Sequence, residues 1–284
     1  KMGQDMAYWH LAVGSGSPDN LDVAAANDLA RTGFNMADPF LFTHQDRLFV
    51  FYESFTAGGH SATISAGVIE HGKMRPLGEV LRCPYHLSYP HIFAHDGEIY
   101  LMPETQQANR LEIWRAVNFP HHWELHATAF EGEHLAESNL VELDGTWWLF
   151  TNLSDHHAFQ DHRSALHLFR TSGPDLKSFS PHPRNPVVLG SRQARNAGPI
   201  VAANGHLYRP TQSHAYDTYG YGINICEIDR ITSSDYQERV LRRIRPDFRN
   251  GMIGIHHISF ANGYFAVDMH QERGPIWRRH RSSA

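Results

Sequence analysis

Apolar and polar positions along the chain fall into a unit that recurs five times. The first copy runs from Asn35 to Glu53, NMADPFLFTHQDRLFVFYE: an Asp-Pro pair opens a short apolar strand, a polar turn follows, and a second strand ends on a carboxylate. The same design returns as LSYPHIFAHDGEIYLMPE (87–104), LAESNLVELDGTWWLFTN (135–152), RNAGPIVAANGHLYRPTQ (195–212) and GIHHISFANGYFAVDMH (254–270). Registered on the turn, Asp46, Gly97, Gly145, Gly205 and Gly263 coincide, with separations of 51, 48, 60 and 58 residues. Short apolar runs bounded by turn residues read as strands. A repeat of this length, made of two strands and their connections, reads as a propeller blade. The pattern predicts an all-β fold, a five-bladed β-propeller, as one domain over residues 1–284 with blades starting near 37, 88, 136, 196 and 254.

The register exposes two columns. Asp38, Tyr89, Glu137, Ala197 and Ile255 stand at the start of the first strand, and Glu53, Glu104, Asn152, Gln212 and His270 stand fifteen residues later at the end of the second. Equivalent positions of the innermost strands converge on a propeller's axis, so these polar strand ends predict one polar site at one end of the axis. Arg195 and Arg209 fall at or near the inner positions of blade 4 and are placed on the wall of the same funnel.

Outside the repeats, residues 6–14 read as a strand able to complete the last blade and close the ring. The Ala-rich part of 15–33 suggests a short helix. Gly58 and Gly59 mark a loop or tight turn, and 153–165 is a long polar loop. Four prolines between 174 and 190 keep that segment extended. Residues 233–246 read equally as a short helix or as outer strand. Trp147 and Trp148 place one indole in the core, and Trp9, Trp114, Trp123 and Trp277 also read as core rather than as sugar platforms.

Composition narrows the partners. The 284 residues carry a net charge of −5 with neutral histidine, and 41% hydrophobic residues suit a globular chain. The tail WRRHRSSA is the one basic run, which argues against nucleic acid as a partner. No run of 18 apolar residues occurs, so no membrane-spanning helix is expected. Cys83 and Cys226 make no disulfide framework. Lys1 precedes Met2 and no secretory apolar segment follows, so a cytoplasmic location is the expectation, with a removed leader as the alternative. The 22 histidines are unusually many but show no zinc-type spacing.

The strings ADPFLF and AESNLVELDGTWWLF resemble the strand openings of five-bladed propeller glycosidases, the arabinanase and xylosidase group (family 43) and the invertase group (family 32). That resemblance implies Asp38 as base or nucleophile and Glu137 as general acid. Tyr89 stands where a blade 2 Asp tunes the acid, and Glu104, at the far end of that hairpin, is the candidate substitute. His256 and His257 lie where such propellers place an axial histidine near a bound calcium; with no ligand carboxylates evident, no metal is assigned and no cofactor is expected, a structural calcium being the minority reading. HLSYPHIF, IYLMPET, NFPHHW, HPRNPV, ARNAGPI and LYRPTQ, in this order, resemble more closely the propeller domain at the N-terminus of glucosamine inositolphosphorylceramide transferases and its bacterial stand-alone relatives. This implies a five-bladed propeller that acts on carbohydrate, without fixing the reaction.

Cleaving a glycosidic bond takes one carboxylic acid to protonate the leaving oxygen and a second carboxylate to activate water or attack the anomeric carbon. Asp38 and Glu137, on different blades, suit groups that face each other across a funnel, with burial raising the proton affinity of the acid. Glu53, Tyr89, His91, Arg195, Arg209, Gln212, His256 and His257 are the candidate substrate contacts, and His86 could line the pocket beside them. Three function classes remain open. They are a glycoside hydrolase or transglycosylase on a carbohydrate or glycoconjugate, a non-catalytic carbohydrate-binding propeller, and another enzyme that clamps an anionic sugar-like metabolite with Arg195 and Arg209.

Overall fold

The computed structural model describes residues 8–30, 32, 35–55, 61–154, 162–216 and 218–272. Gly58, Gly59, Trp277 and the basic tail lie outside these residues, as does most of the 153–165 loop.

Each repeat folds as an antiparallel sheet whose strands follow chain order from the axis outward, and the five sheets form a five-bladed β-propeller. Blade 1 comprises Met36–His44, Arg47–Ser54, Thr63–Glu70 and Lys73–Leu81. Blade 2 comprises Ser88–His95, Glu98–Glu104, Leu111–Asn118 and His122–Ala129. Blade 3 comprises His134–Leu143, Thr146–Ser154, Ala165–Thr171 and Phe179–Pro181, with Val188–Leu189 added at one end. Blade 4 comprises Val201–Ala203, His206–Ala215, Thr218–Ile231 and Tyr236–Ile244. The stretch 233–246 is therefore outer strand. In blade 5, Met252–Gly254 and Ile258–Ala261 pair with Tyr264–Gln271, and Tyr8–Ser17 pairs along the other side of that strand. The N-terminal strand thus closes the ring, as expected of it. The Ala-rich stretch forms only a 3₁₀ turn, Val23–Ala25, capped by the Asp22 carboxylate; short strands on either side, Asn20–Leu21 and Asn27–Asp28, leave no length for a helix.

Why these strands read as nearly continuous apolar runs is clear from the packing. Successive side chains on a strand point to opposite faces, and here both faces are covered by neighbouring blades. Leu48, Val50 and Tyr52 pack toward blade 5, while Phe49 and Phe51 pack toward blade 2. Tyr100 and Met102 face blade 3, and Ile99 and Leu101 face blade 1. Leu149 meets blade 2, and Trp148 and Phe150 meet blade 4. Among the described residues there are five apolar clusters, one between each pair of adjacent blades, instead of one central core. The closing strand supplies two of them: Leu11 and Val13 on one face, Ala12 on the other.

Ring closure should therefore contribute to global stability. Leu11 is fully buried in the blade 5–blade 1 cluster, and Leu11→Ala should cost about 2–5 kcal/mol. Urea unfolding followed by tryptophan fluorescence should show the midpoint fall in a single transition; an unchanged midpoint would mean that the N-terminal strand is dispensable.

Candidate active site

The first column owes its geometry to a bulge repeated in three blades. Pairing jumps from Ala37↔Glu53 to Phe40↔Phe51, from Ser88↔Glu104 to His91↔Met102, and from Ala136↔Asn152 to Asn139↔Phe150. Two residues of the inner strand thus oppose one of its partner, and the first of each pair takes a left-handed backbone: Asp38 at φ 50°, Tyr89 at 45° and Glu137 at 50°. Such a conformation costs a non-glycine residue about 1–2 kcal/mol, and bulges of this kind re-aim side chains beside functional sites. The bulge also frees the amide of its first residue from the ladder. In each case a carboxylate of the preceding blade accepts it. Asp38 N–H donates to Asp268 Oδ2 at 3.1 Å, Tyr89 N–H to Asp38 Oδ2 at 3.0 Å, and Glu137 N–H to Glu104 Oε2 at 3.1 Å. At the next junction Asn196 N–H donates to Asn152 Oδ1 at 3.0 Å. Polar residues of both columns therefore stitch adjacent blades together around the axis.

A pocket of about 240 Å³ opens at this end of the axis. Asp38, Glu53, Glu104, Glu137, Arg195 and His256 converge on it, with Trp9, His86 and Tyr219 on its wall. Asp38 and Glu137 are 4% and 3% exposed, and an oxygen of each lies within 4.8 Å of the other and of a His257 ring nitrogen. Each has one oxygen committed and one without a hydrogen-bond partner among the described residues. Asp38 uses Oδ2 for the Tyr89 amide and keeps Oδ1. Glu137 uses Oε1 for Arg195, at 2.6 and 3.1 Å, and for Gln212 Nε2 at 3.2 Å, and keeps Oε2.

Proton affinities in the pocket are uneven. Burial pushes the Asp38 carboxyl well above the usual carboxylate range, and the charges of Glu137, Glu53 and Asp268 add to the effect. Burial and the Glu137 charge lift Glu104 to about 7. Burial raises Glu137 too, but the Arg195 guanidinium opposes it. Glu137 is thus the carboxylate with a direct guanidinium partner, and Asp38 is the one that burial and neighbouring acids raise without such a partner. Beneath Asp38, His256 Nδ1 lies 2.6 Å from Asp268 Oδ2, and both backbone amides of His256 and His257 donate to Asp268 Oδ1. Burial opposes a charge on His256, but Asp268 outweighs it and the imidazole pKa is raised. Its Nε2 lies 3.7 Å from Asp38 Oδ1, and its ring is stacked on Trp9 at 4.2 Å.

Several of the expected substrate contacts sit elsewhere. Arg209 is not on the funnel wall: it is fully buried in blade 4, where it forks onto Glu238 at 2.6 and 2.7 Å and also reaches Asn196 and the Gln193 and Ala194 carbonyls. It occupies the register position held by Val50, Leu101, Leu149 and Val267 in the other blades, a core position, so its charge must be matched inside the blade. Tyr89 fills the channel below the pocket, its hydroxyl bonded to Gly198 O and to Asn139 Nδ2, both at 2.8 Å. A Cβ at Gly198 would lie 1.9 Å from the Ile258 carbonyl oxygen, so that approach requires glycine. His91 is buried against Phe40 and Phe93, bonded to the Leu140 backbone, and lowered by burial to about 4. His257 is buried beneath Asp38 and lowered by burial to about 3, hence neutral. Gln212, fully buried, meets Glu137 from behind. Tyr89, His91, His257 and Gln212 support the pocket without lining it. Trp147 and Trp148 pack between blades instead of beside Glu137. Conversely Trp9, expected in the core, lines the pocket.

Asp268 and Tyr219 were not among the residues expected here. Asp268 had a signal: its register position holds Phe51, Met102, Phe150 and Pro210 in the other blades, so a charge there breaks the apolar pattern. Tyr219, which lies under the Arg195 guanidinium at 5.6 Å, stands at the start of the third strand of blade 4, outside the two-strand repeat on which the columns were registered.

For calcium the donors do not fit. Asp38, Glu137 and His257 could each offer one atom, as could Asp38, His256 and Asp268. Calcium takes six to eight oxygens, and here histidine nitrogens stand where oxygens would be needed.

Two outcomes follow from these geometries. Arg209→Met strands a buried Glu238 and should destabilise the fold by about 3–5 kcal/mol, whereas Arg209→Met combined with Glu238→Leu should recover most of the loss; urea midpoints of the single and double variants decide it. For Glu104, a carboxyl that binds its proton more tightly folded than unfolded stabilises the fold below its unfolded value near 4.5, and that contribution is lost as pH rises through about 7. Relative to the native chain, Glu104→Gln should gain urea resistance between pH 5 and 8, and a difference that is flat with pH would contradict the raised affinity.

Similarity to known proteins agrees with this architecture. A family model described as glucosamine inositolphosphorylceramide transferase 1, N-terminal, matches residues 16–250. The chain is 35% identical over 252 residues to glucosamine inositolphosphorylceramide transferase 1 of Oryza sativa subsp. indica, covering 84% of this chain and 33% of that protein. With the protein of the same name from Arabidopsis thaliana it shares 34% over 208 residues, 72% of this chain and 26% of that one. It therefore spans about a third or less of the curated relatives it matches. Among solved structures, the catalytic domain of an α-L-arabinofuranosidase from Coprinopsis cinerea superposes with a TM-score of 0.57 at 12% identity, covering 92% of this chain and 97% of that one. That likeness speaks to the fold. With more than four-fifths of its length matched by the family model, the chain belongs to the family of glucosamine inositolphosphorylceramide transferase 1 N-terminal domains.

Proposed function

We propose that the protein cleaves or transfers glycosyl groups of a carbohydrate or glycoconjugate by acid–base chemistry at the axial pocket. The observation that carries this reading is the Asp38–Glu137 pair: two buried carboxylates from different blades, each with one oxygen anchored and one left over, a few ångströms apart. Anchoring half of each group fixes its direction, and the remaining oxygen is available for a reacting atom. The curated relatives are named as transferases, and propeller glycosidases share the fold. Both reactions begin by breaking a glycosidic or activated glycosyl bond. They differ in whether water or an acceptor hydroxyl receives the sugar.

In this mechanism the protonated Asp38 gives its proton to the leaving oxygen as the bond breaks. Glu137, kept anionic by Arg195 and Gln212, stabilises the oxocarbenium-like centre, by charge or by direct attack, and then the acceptor loses its proton to the carboxylate now vacant. Glu104 lines the same pocket, accepts the Glu137 amide and is raised to about 7, near the range where a proton can be passed at neutral pH. Trp9 and Tyr219 line the pocket, as does His86, whose Nε2 lies 3.1 Å from Glu53 Oε1.

Asp38→Asn and Glu137→Gln keep size and the anchoring contacts and remove the transferable proton or the charge. Each should lower kcat by about 10²–10⁴-fold on the natural substrate, with binding retained. On a panel of aryl glycosides, a leaving group that needs no protonation should restore much of the turnover of Asp38→Asn and little of that of Glu137→Gln. Near-native turnover by both variants would remove the carboxylate pair from the mechanism and favour a carbohydrate-binding propeller.

A further inference from the structure

The axial pocket is dominated by carboxylates, yet arginines crowd the adjoining face of blade 4. A hollow of about 260 Å³ there is lined by Arg192, Arg243 and Arg245 together with Tyr216 and Tyr221. It continues past Arg242 on one side and past Ser191 and His214 on the other. Asp247 is the one carboxylate lining this groove among the described residues. In a chain of net charge −5 this is a local reversal of sign. RVLRRIRP (239–246) is a second basic run, four arginines in eight residues, of which Arg243 and Arg245 stand at the end of the outer strand; Arg192 joins them from the connection entering blade 4.

These arginines also differ from the other arginines of the same blade. Arg230 pairs with Asp235, and Arg239 pairs with Glu227 and Asp229. Arg242 caps the Leu21 carbonyl. Arg192, Arg243 and Arg245 are exposed, and no acid among the described residues pairs with them. Bringing three guanidinium groups together without a counter-charge is unfavourable unless an anion joins them. Planar guanidinium forks match the oxygens of a carboxylate or phosphate. Tyr216, 78% exposed, meets Tyr221 edge-on at 5.1 Å, leaving an aromatic surface beside the charges on which a sugar ring can lie.

The groove is joined to the pocket. His214 donates its amide to Ser191 O at 3.1 Å, and its ring stacks on Tyr219 at 5.3 Å. Tyr219 in turn lies under Arg195, the partner of Glu137. Side-chain contacts thus run from the edge of the groove to the wall of the pocket. We propose that this groove is a subsite for an oxyanion, phosphate or carboxylate, carried by the saccharide whose glycosyl bond lies in the axial pocket. The inference rests on the functional reading above and gives it a substrate class, an anionic glycoconjugate.

The test is calorimetric titration of the full chain at low salt with glucose 1-phosphate, trigalacturonate and, as the neutral control, maltotriose. At least one anion should bind. Arg192→Gln, Arg243→Gln and Arg245→Gln combined should weaken that binding by at least about tenfold, as expected for loss of charge-assisted hydrogen bonds, while leaving any maltotriose affinity and the circular dichroism spectrum unchanged. Which anion binds distinguishes a phosphate from a carboxylate subsite. The single variant Arg243→Gln, with an intermediate loss, guards against a folding defect in the triple. Turnover of Asp38→Asn on the aryl glycosides, measured separately, reports on the carboxylate mechanism, so its failure is told apart from a failure of the groove. Failure of both anions to bind the native chain, or equal binding by the triple variant, would overturn the proposal.

Discussion

Closing five sheets into a ring is the constraint on which the rest of the structure depends. Once the N-terminal strand pairs with Tyr264–Gln271, every blade has a neighbour on both faces. Most positions of the inner and middle strands then lie between neighbouring blades, where a buried polar group without a partner is expensive. Polar chemistry is pushed to the strand ends at the axis, or must be neutralised where it stands, as Arg209 and Glu238 are. The same closure explains five interblade clusters where a two-layer fold would have one core.

At the axis the carboxylates do two jobs, and the bulge links them. It turns Asp38 and Glu137 toward the pocket and leaves amides that the ladder cannot use. Those amides are taken up by Asp268 and Glu104, and the Tyr89 amide by Asp38. The backbone strain at the three bulges is thus offset by hydrogen bonds across blade junctions, charge-assisted at Asp268, whose carboxyl His256 holds below its usual range. A consequence is that the reactive groups are held by the assembly of the ring itself and not by a loop. Orienting an acid and a base to within fractions of an ångström is what proximity catalysis requires, and a set of blades locked edge to edge is a rigid way to provide it.

Much of this was legible in the chain because a propeller repeats. Five coincident turns fixed the blade count, and the two columns led to Asp38, Glu53, Glu104 and Glu137 at one end of the axis. Legibility failed where equivalence in sequence is not equivalence in space. Tyr89 shares the bulge of Asp38, but its longer side chain passes through the polar layer into the channel, where Gly198 leaves room for it. Arg209 was assigned by residue type, although its register position is a core one. Asp268 was passed over for the opposite reason, since the apolar pattern around it hid a charge that binds two blades. His91 and His257 sit one layer beneath the pocket, a difference in depth that alternation along a strand cannot distinguish from lining it. The Ala-rich segment became a 3₁₀ turn because propensity over so few residues is a weak signal beside pairing to a closing strand.

Charge balance ties the pocket to the groove. Asp38, Glu53, Glu104 and Glu137 face Arg195 and His256 in a small, largely buried volume. Full ionisation of all four acids would leave an excess of negative charge there, and like charges at such distances hold protons back. The raised affinities of Asp38, Glu104 and Glu137 are the physical result. A site in that state stores protons and suits hydroxyl-rich, uncharged parts of a ligand; it repels an anion. Blade 4 presents the opposite field a short distance away, across His214 and Tyr219, with guanidinium groups that lack acids of their own. One fold therefore separates two electrostatic demands that could not be met in one cavity. The acids are gathered where burial raises their proton affinity, and the arginines without acids of their own stand where solvent reaches them.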